Sequence, residues 1–419
     1  MTHEVDVAIV GAGAGGVAAA RRLAATGLSV LTLEASARIG GRAWTHEVAG
    51  VPLDLGCGWL HSADRNAWAR IAEERGVDLF RGPSAWSRQY RDLGFSPAEQ
   101  DAADRAFGEW AERLETSPPP SDRAADALKP GFEWNSYIQA ISGYLNGVAL
   151  EQVSVADYLA YDKAVTRRNW RAPAGYGALI SASFPGVALR LSAPVKAIAL
   201  TRNGVSLTTP AGAIRARAAI VTASTAALAS GAPKLPPEAR DWVAAAERLP
   251  LGRNEKLFLE IVGPSPFEPE THLMGNPRNP GAASYYIRPF GHPVIECFLG
   301  GAGAEFLNEQ GPGAAFAKAL EELAGLFGSD ARLSLRSLAA SNWGRMRAIG
   351  GGYSHALPGC AGARKDLARP CEGRIFFAGE ATHPYDFSTA HGAHDSGVRA
   401  AEEVLAALTG PAGACRNGD

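Results

Sequence analysis

The sequence is poor in sulfur, with 5 cysteines and 3 methionines among 419 residues. Cys57, Cys297, Cys360, Cys371 and Cys415 are odd in number, widely spaced and form no C-x-x-C pair. Neither a disulfide framework nor a thiolate zinc site is suggested by this pattern, and reduced thiols in a cytoplasm are expected. Charge of one sign is lacking too: 41 basic against 43 acidic side chains give a formal net charge of -2, without the basic surplus that nucleic acid phosphates demand. Long apolar runs are absent. Residues 7–20 and 218–233 are the least charged stretches, and both fall short of the ~20 residues that span a bilayer, so no membrane span is expected. Met1 to Asp6 places an acid before the first apolar run, unlike the basic-then-apolar order of a secretory leader. His383, His391 and His394 lack an acidic partner pattern for zinc, and no metal is expected. The Arg167-Arg168 pair reads as a solvated face.

Glycine, by contrast, is plentiful, with 48 residues. Its first cluster, Gly11-Ala12-Gly13-Ala14-Gly15-Gly16, follows a short β-branched run, Val5 to Val10, and precedes an alanine-rich stretch to Ala25. This reads as strand, tight turn and helix. Thr26-Gly27 ends the helix, residues 28–33 form a second strand, and Glu34 stands at its end, completing a βαβ unit with a parallel sheet. In Gly11-x-Gly13-x-x-Gly16 the first glycine allows the turn, the second admits a pyrophosphate to the backbone, and the third lets helix and strand pack closely. The helix N-terminus offers free N–H groups to phosphates, and Glu34 is placed to accept from a ribose diol.

Farther on, residues 63–113 read as helical, with a proline loop at 117–121, and a second helical stretch starts at Trp134. Residues 187–221 alternate short strands with turns at 202–204 and 210–212. Residues 256–261, 292–299 and 375–378 read as strands, and 314–327 and 396–408 as helices. The length predicts two or three domains at about 100–200 residues each. Lys256, entering an apolar strand, reads on periodicity alone as a snorkelling edge residue, Tyr353 as a core aromatic, and His61 equally as a structural histidine.

The segment Arg38-Ile39-Gly40-Gly41-Arg42-Ala43-Trp44-Thr45 separates a flavin from a nicotinamide site. Its G-G-R-x-x-T, behind the Glu-ended βαβ unit, resembles the flavin-containing amine oxidases, which include monoamine oxidases, polyamine oxidases and flavin-dependent lysine demethylases. Asp54-Leu55-Gly56-Cys57-Gly58-Trp59-Leu60-His61 is similar to that family's next element, and four further motifs extend the likeness over nearly the whole chain. The resemblance implies an α/β fold, a Rossmann-like FAD domain with an inserted sheet-plus-helix substrate domain. The FAD domain would comprise residues 1–78, 173–250 and 343–419, and the substrate domain 79–172 and 251–342. It implies FAD contacts from Gly11, Gly13, Ala14, Gly15, Gly16, Glu34, Ala35, Gly41, Arg42, Gly58, Trp59, Val195, Trp343, Gly379, Glu380, Thr389 and Ala390. Lys256 would hold a water beside flavin N5, Tyr353 and Thr389 would form opposite walls of an amine channel, and His61 would reach the substrate side.

Two positions depart from the family pattern. Gly352 stands where monoamine oxidases carry the cysteine that tethers the flavin, so FAD is expected to be noncovalent. Thr389 stands in place of the second cage aromatic, with Tyr385 and Phe387 as the nearby substitutes. The expected reaction oxidises a C–N bond of a small amine to an imine, with oxygen as electron acceptor and hydrogen peroxide as product. A desaturase or porphyrinogen-type oxidase, an L-amino acid oxidase and a flavoprotein binding module without turnover are the alternatives. The amine is left open, as is the oligomeric state, for which a homodimer is one expectation.

Overall fold

Val7, Ala8 and Ile9 are wholly buried, and an apolar run hidden on both faces belongs at the centre of a parallel sheet. The computed structural model, which describes residues 3–409, places them there. The strands are β1 (His3–Val10), β2 (Val30–Leu33), β3 (Thr45–Val48), β4 (Val51–Asp54), β5 (Ala188–Arg190), β6 (Ala197–Thr201) and β7 (Gly204–Thr209). They continue as β8 (Gly212–Val221), β9 (Asn254–Ile261), β10 (Thr271–Met274), β11 (Ser284–Ile287), β12 (Val294–Gly300), β13 (Leu335–Ala340) and β14 (Ile375–Phe377).

The first sheet runs β5-β2-β1-β8-β7-β6. Its β5, β2, β1 and β8 are parallel, while β7 pairs antiparallel with the first half of β8 and β6 antiparallel with β7. The second half of β8 takes β14 in parallel along the same edge. Helices Ala14–Ala24 and Ala390–Thr409 cross against this sheet, and they approach so closely that a Cβ on Gly397 would lie 2.1 Å from the Gly15 carbonyl oxygen.

The second sheet, β10-β11-β12-β9-β13, is antiparallel. Alternation sorts its side chains. Leu257, Leu259, Tyr285, Ile287, Ile295 and Cys297 pack with Leu307, Ala319 and Leu323 of the two helices Ala302–Gln310 and Pro312–Phe327. The intervening residues, Lys256, Phe258, Tyr286 and Glu296, therefore face the other way, where Phe258 joins Val51, Leu53, Leu55, Val294 and Trp343 in a separate cluster. That face meets β4 and the segment leading from it.

The helical expectation for 63–113 is only partly right. A helix covers Ala67–Glu74, stops at Gly76 with φ 65°, and resumes at Pro97–Thr116 behind a Ser96/Glu99 capping box. The last helix starts at Ala390, earlier than Ser396, because Thr389 caps it: its Oγ1 accepts from the Gly392 N–H at 3.0 Å. The β3–β4 hairpin was not expected, since each strand has four residues and the turn at Ala49-Gly50 takes positive φ at both positions.

Candidate active site

The turn after β1 is forced by close backbone approach. Gly11 has φ 104°, and a Cβ on Gly16 would lie 2.0 Å from the Gly11 carbonyl oxygen, so the helix can start this near the strand only with glycine there. Gly13, at the N-cap of helix Ala14–Ala24, supplies no side-chain bond, and the first turn contains no acid. Its N–H groups are thus left to an anion. Gly13 also pairs with Gly40, and Gly41 crosses so close that its Cβ would meet the Gly13 Cα at 3.1 Å. Gly15 lies in turn against Gly379 and Ala393, so a second helix N-terminus arrives beside the first.

Glu34 is buried at the end of β2, where its carboxylate accepts from the Ala12 N–H at 2.7 Å and from the Ser36 N–H and hydroxyl. Ala35 beside it is exposed. The Ala193 N–H donates to the Glu34 carbonyl at 2.8 Å, bringing the buried Val195 alongside the same strand end. Arg42 donates to Glu380 at 2.8 Å and to the Gly352 carbonyl at 2.6 Å. Burial would raise the Glu380 pKa, but Arg42 and Arg364 outweigh it and hold the carboxyl below its usual range. The uncapped start of helix Ala14–Ala24, a partly exposed arginine and a buried carboxylate fit the phosphates and the ribose of a dinucleotide.

Lys256 is 6% exposed, and its Nζ donates to the Asp54 carbonyl at 2.9 Å while pairing with Glu296 Oε1 at 2.7 Å. The same ammonium lies 3.2 Å from where a Gly58 Cβ would stand, so the lysine and the Gly58-Trp59 segment share one surface. Glu296 Oε2 accepts from Arg171 Nη2 at 2.8 Å. Burial alone would raise the Glu296 pKa, yet Lys256 and Arg171 pull it down to about 2. Trp343 closes the floor: its indole N–H donates to the Leu55 carbonyl at 2.9 Å, and Glu255 accepts from its backbone N–H.

Tyr353 donates its hydroxyl to the Tyr144 carbonyl, and burial pushes its pKa up. The Thr389 hydroxyl, besides capping the last helix, donates to the Asp386 carbonyl at 2.6 Å, and the Ala390 carbonyl accepts from Trp68 Nε1. His61 is fixed by Asn169 at 2.8 Å, and burial lowers its pKa to about 4, so the ring is neutral at pH 7. Neither aromatic named for the Thr389 position is turned toward Tyr353 by its contacts. Phe387 lies beneath the Arg364 guanidinium at 3.5 Å, and Tyr385 is 44% exposed beside Arg65 and His383.

Arg171 and Glu296 escaped the sequence reading. Glu296 is a lone acid in the apolar run Val294-Ile295-Glu296-Cys297-Phe298-Leu299, and Lys256 a lone base in another. Buried charges of opposite sign on two strands call for each other, and that was the available signal. Arg171 carried none, because its place depends on backbone pairings of Trp170 with Leu60 and of Arg171 with Phe80.

A Gly-rich βαβ cradle joined to a second sheet that presents a buried lysine defines a dinucleotide-dependent oxidoreductase. The chain belongs to the flavin-containing amine oxidoreductase family, whose model matches residues 14–94 and 83–405. Its cofactor is FAD, and it is an oxidoreductase acting on CH–NH or CH–NH2 donors. It is 27% identical to polyamine oxidase 4 of Oryza sativa subsp. japonica, over 95% of this chain and 88% of that protein. It is 26% identical to lysine-specific histone demethylase 2 of Homo sapiens, over 96% of this chain and 54% of that protein. Among solved structures, wild-type putrescine oxidase bound to putrescine superposes with a TM-score of 0.75 at 20% identity, over 97% of this chain and 100% of that one, a likeness of fold. No helix among the described residues is long and apolar enough to cross a membrane.

Proposed function

We propose that the protein is an FAD-dependent oxidase of a small, singly charged amine, with oxygen as the acceptor. The observation that carries this is the buried Lys256 ammonium against Gly58, on the surface shared with Trp59. FAD held in this cradle would supply the acceptor for the two electrons that leave with a hydride from the carbon beside nitrogen, and oxygen, taking up those electrons and two protons, would leave as hydrogen peroxide. The free amine gives up a hydride equivalent from carbon and a proton from nitrogen, and the resulting imine is hydrolysed to a carbonyl compound and an amine or ammonia. Lys256 would orient a water through Nζ, which is already held by the Asp54 carbonyl and Glu296, while Tyr353 and Thr389 would border the amine. The cradle residues from Gly11 to Gly16, with Glu34, Arg42, Gly41, Val195, Gly379 and Glu380, hold the cofactor.

Noncovalent attachment is supported by Gly352 itself, which offers no thiol where monoamine oxidases carry the tethering cysteine, and a Cβ there would lie 2.8 Å from Asn254 Oδ1, so the Asn254 side chain would have to shift. A singly charged substrate is supported by the state of the nearby carboxylates. Glu296 serves Lys256 and Arg171, Glu380 serves Arg42, and Asp386 serves Arg65, while Asp54 and Glu255 are taken up by hydrogen bonds from neighbouring N–H and O–H groups, so none of these five is left over for a second ammonium. Residues 1–78, 173–250 and 343–419 are read as the FAD part, and 79–172 and 251–342 as the substrate part.

The test is anaerobic mixing of the purified holoprotein with benzylamine, putrescine, spermidine, a cyclic secondary amine and L-amino acids, followed at the flavin band near ~450 nm. Bleaching by a monoamine, with peroxide released on admitting air, is the expected result. Retention of FAD with no bleaching by any class would overturn the oxidase reading, and faster bleaching by putrescine or spermidine would overturn the singly charged substrate.

A further inference from the structure

We propose that Lys256, Glu296 and Arg171 form a buried charge triad that sets the electron affinity of the bound flavin, with Glu296 as the positioning residue that holds both cations. The inference rests on the flavin-side placement of Lys256 given above.

Three observations lead to it. First, all three side chains are nearly inaccessible, with residue exposures of 6%, 6% and 4% for Lys256, Glu296 and Arg171. Burying three ions is costly, and a well-packed apolar cluster would usually serve stability as well or better, so a purely structural role explains the arrangement poorly. Second, the carboxylate is shared: Oε1 takes Lys256 Nζ at 2.7 Å and Oε2 takes Arg171 Nη2 at 2.8 Å. Since Lys256 and Glu296 come from neighbouring strands on one sheet face and Arg171 from the segment that pairs with Leu60 and Phe80, one carboxylate clamps two distant parts of the chain. Third, the arginine is held by rings and not by further acceptors. Its guanidinium carbon lies 4.9 Å from the ring centroids of Trp59, Tyr286 and Phe290, and its Nη1 has no hydrogen-bond partner among the described residues.

The triad thus ends at both of its arms on the Gly58-Trp59 segment, through Lys256 beside Gly58 and through Arg171 against Trp59. Its ionisable neighbours among the described residues include Asp54, Cys57, Tyr286 and Cys297. The Asp54 carboxylate is occupied by the Thr45 hydroxyl and by the Tyr176 and Gly177 N–H groups, and the Cys57 thiol stays protonated, its pKa pushed up to about 12 by burial and by Asp54. Fixed charge in a low-dielectric site acts strongly on a redox group that gains electrons. A cation nearby favours the reduced flavin, and an anion nearby disfavours it.

The test is the flavin midpoint potential at pH 7, measured without substrate by reductive titration against a reference dye in the holoproteins of the parent and of three variants. Lys256→Met and Arg171→Met each remove a cation and lower the potential. Glu296→Gln removes an anion and raises it. Each shift corresponds to about a tenfold change in the two-electron equilibrium constant, near ~30 mV. The opposite signs are the signature, since mere loosening of the site would move all three variants the same way. If Glu296→Gln fails to hold FAD, Arg171→Lys decides: it keeps the charge and is expected to keep the parental potential, and a shift equal to that of Arg171→Met overturns the proposal. A lowered potential in Lys256→Met with parental values in the Arg171 and Glu296 variants overturns the triad alone. Parental values in all three also remove the flavin-side role of Lys256.

Discussion

Around the Gly11–Gly16 turn, contacts are made chiefly by backbone: Gly11 beneath Gly16, Gly13 against Gly40 and Gly41, Gly15 against Gly379. On the outer face of β9 and β12 they are made by ionised side chains drawn from three separate segments. The first region works by leaving room, with missing side chains and unpaired N–H groups forming a receptacle. The second works by filling space with charge that must be neutralised in place. Substitution should therefore act on the two regions differently, abolishing cofactor uptake in one and altering rate, potential and acid resistance in the other.

The largest effect is expected at the cradle. In Gly16→Ala the new Cβ meets a backbone oxygen at 2.0 Å, which no side-chain movement relieves. Purified protein should lack FAD, as read from the ratio of flavin to protein absorbance, and a stoichiometric yellow variant would show that the turn tolerates what its geometry forbids. Next comes Lys256→Met, expected to retain FAD but to be reduced about a hundredfold more slowly by its amine in anaerobic stopped flow. A parental rate would remove Lys256 from the chemistry.

Glu296 gives the comparison a thermodynamic edge. Its folded pKa of about 2 is below the unfolded value near ~4.3, so the stability it contributes is fully present above that value and is lost as pH falls toward 2. In Glu296→Gln the urea midpoint should fall at neutral pH, by about 3–5 kcal/mol in stability, because two buried cations lose their partner. Between pH 5 and 3, by contrast, the variant should lose stability less steeply than the parent. Parallel slopes would show that this carboxylate is not the linked group.

The cradle was legible because everything it needs is local. Three glycines, a strand before and a helix after lie within about twenty residues, and Glu34 follows at the next strand end. The motif Gly40-Gly41-Arg42 extends it, and the structure sets its two glycines against Gly13 and its arginine on Glu380. The buried triad was half legible. Lys256 stood out by its family motif, but nothing adjacent to it in sequence points to Glu296, forty residues away, or to Arg171, since strand pairing and two isolated bridges bring them together. For the same reason Phe387 looked available for an amine cage until Arg364 was found stacked on it, itself bound to Asp157 through both carboxylate oxygens.

Smaller effects sharpen the contrast. His61 is partly buried outside the triad, and with a pKa lowered to about 4 it is uncharged throughout the neutral range. His61→Asn should leave the shape of the flavin-reduction rate against pH between 6 and 8 unchanged, and a break present in the parent and missing from the variant would make the histidine a proton carrier.

The smallest effect is expected from a glycine that leaves room for nothing. Gly108 is exposed in the middle of helix Pro97–Thr116, and a Cβ there would meet no atom within 4 Å. Its helical backbone suits alanine, which loses less conformational entropy on folding, so Gly108→Ala should gain about 0.5–1 kcal/mol in urea unfolding. FAD content and reduction rate should stay parental. Set beside Gly16→Ala, the same chemical change would then stabilise one helix and empty the other's receptacle. If Gly108→Ala instead cost stability, space at the Cβ would be a poor guide to glycine's role in this chain, and the inference drawn from Gly16 would weaken with it.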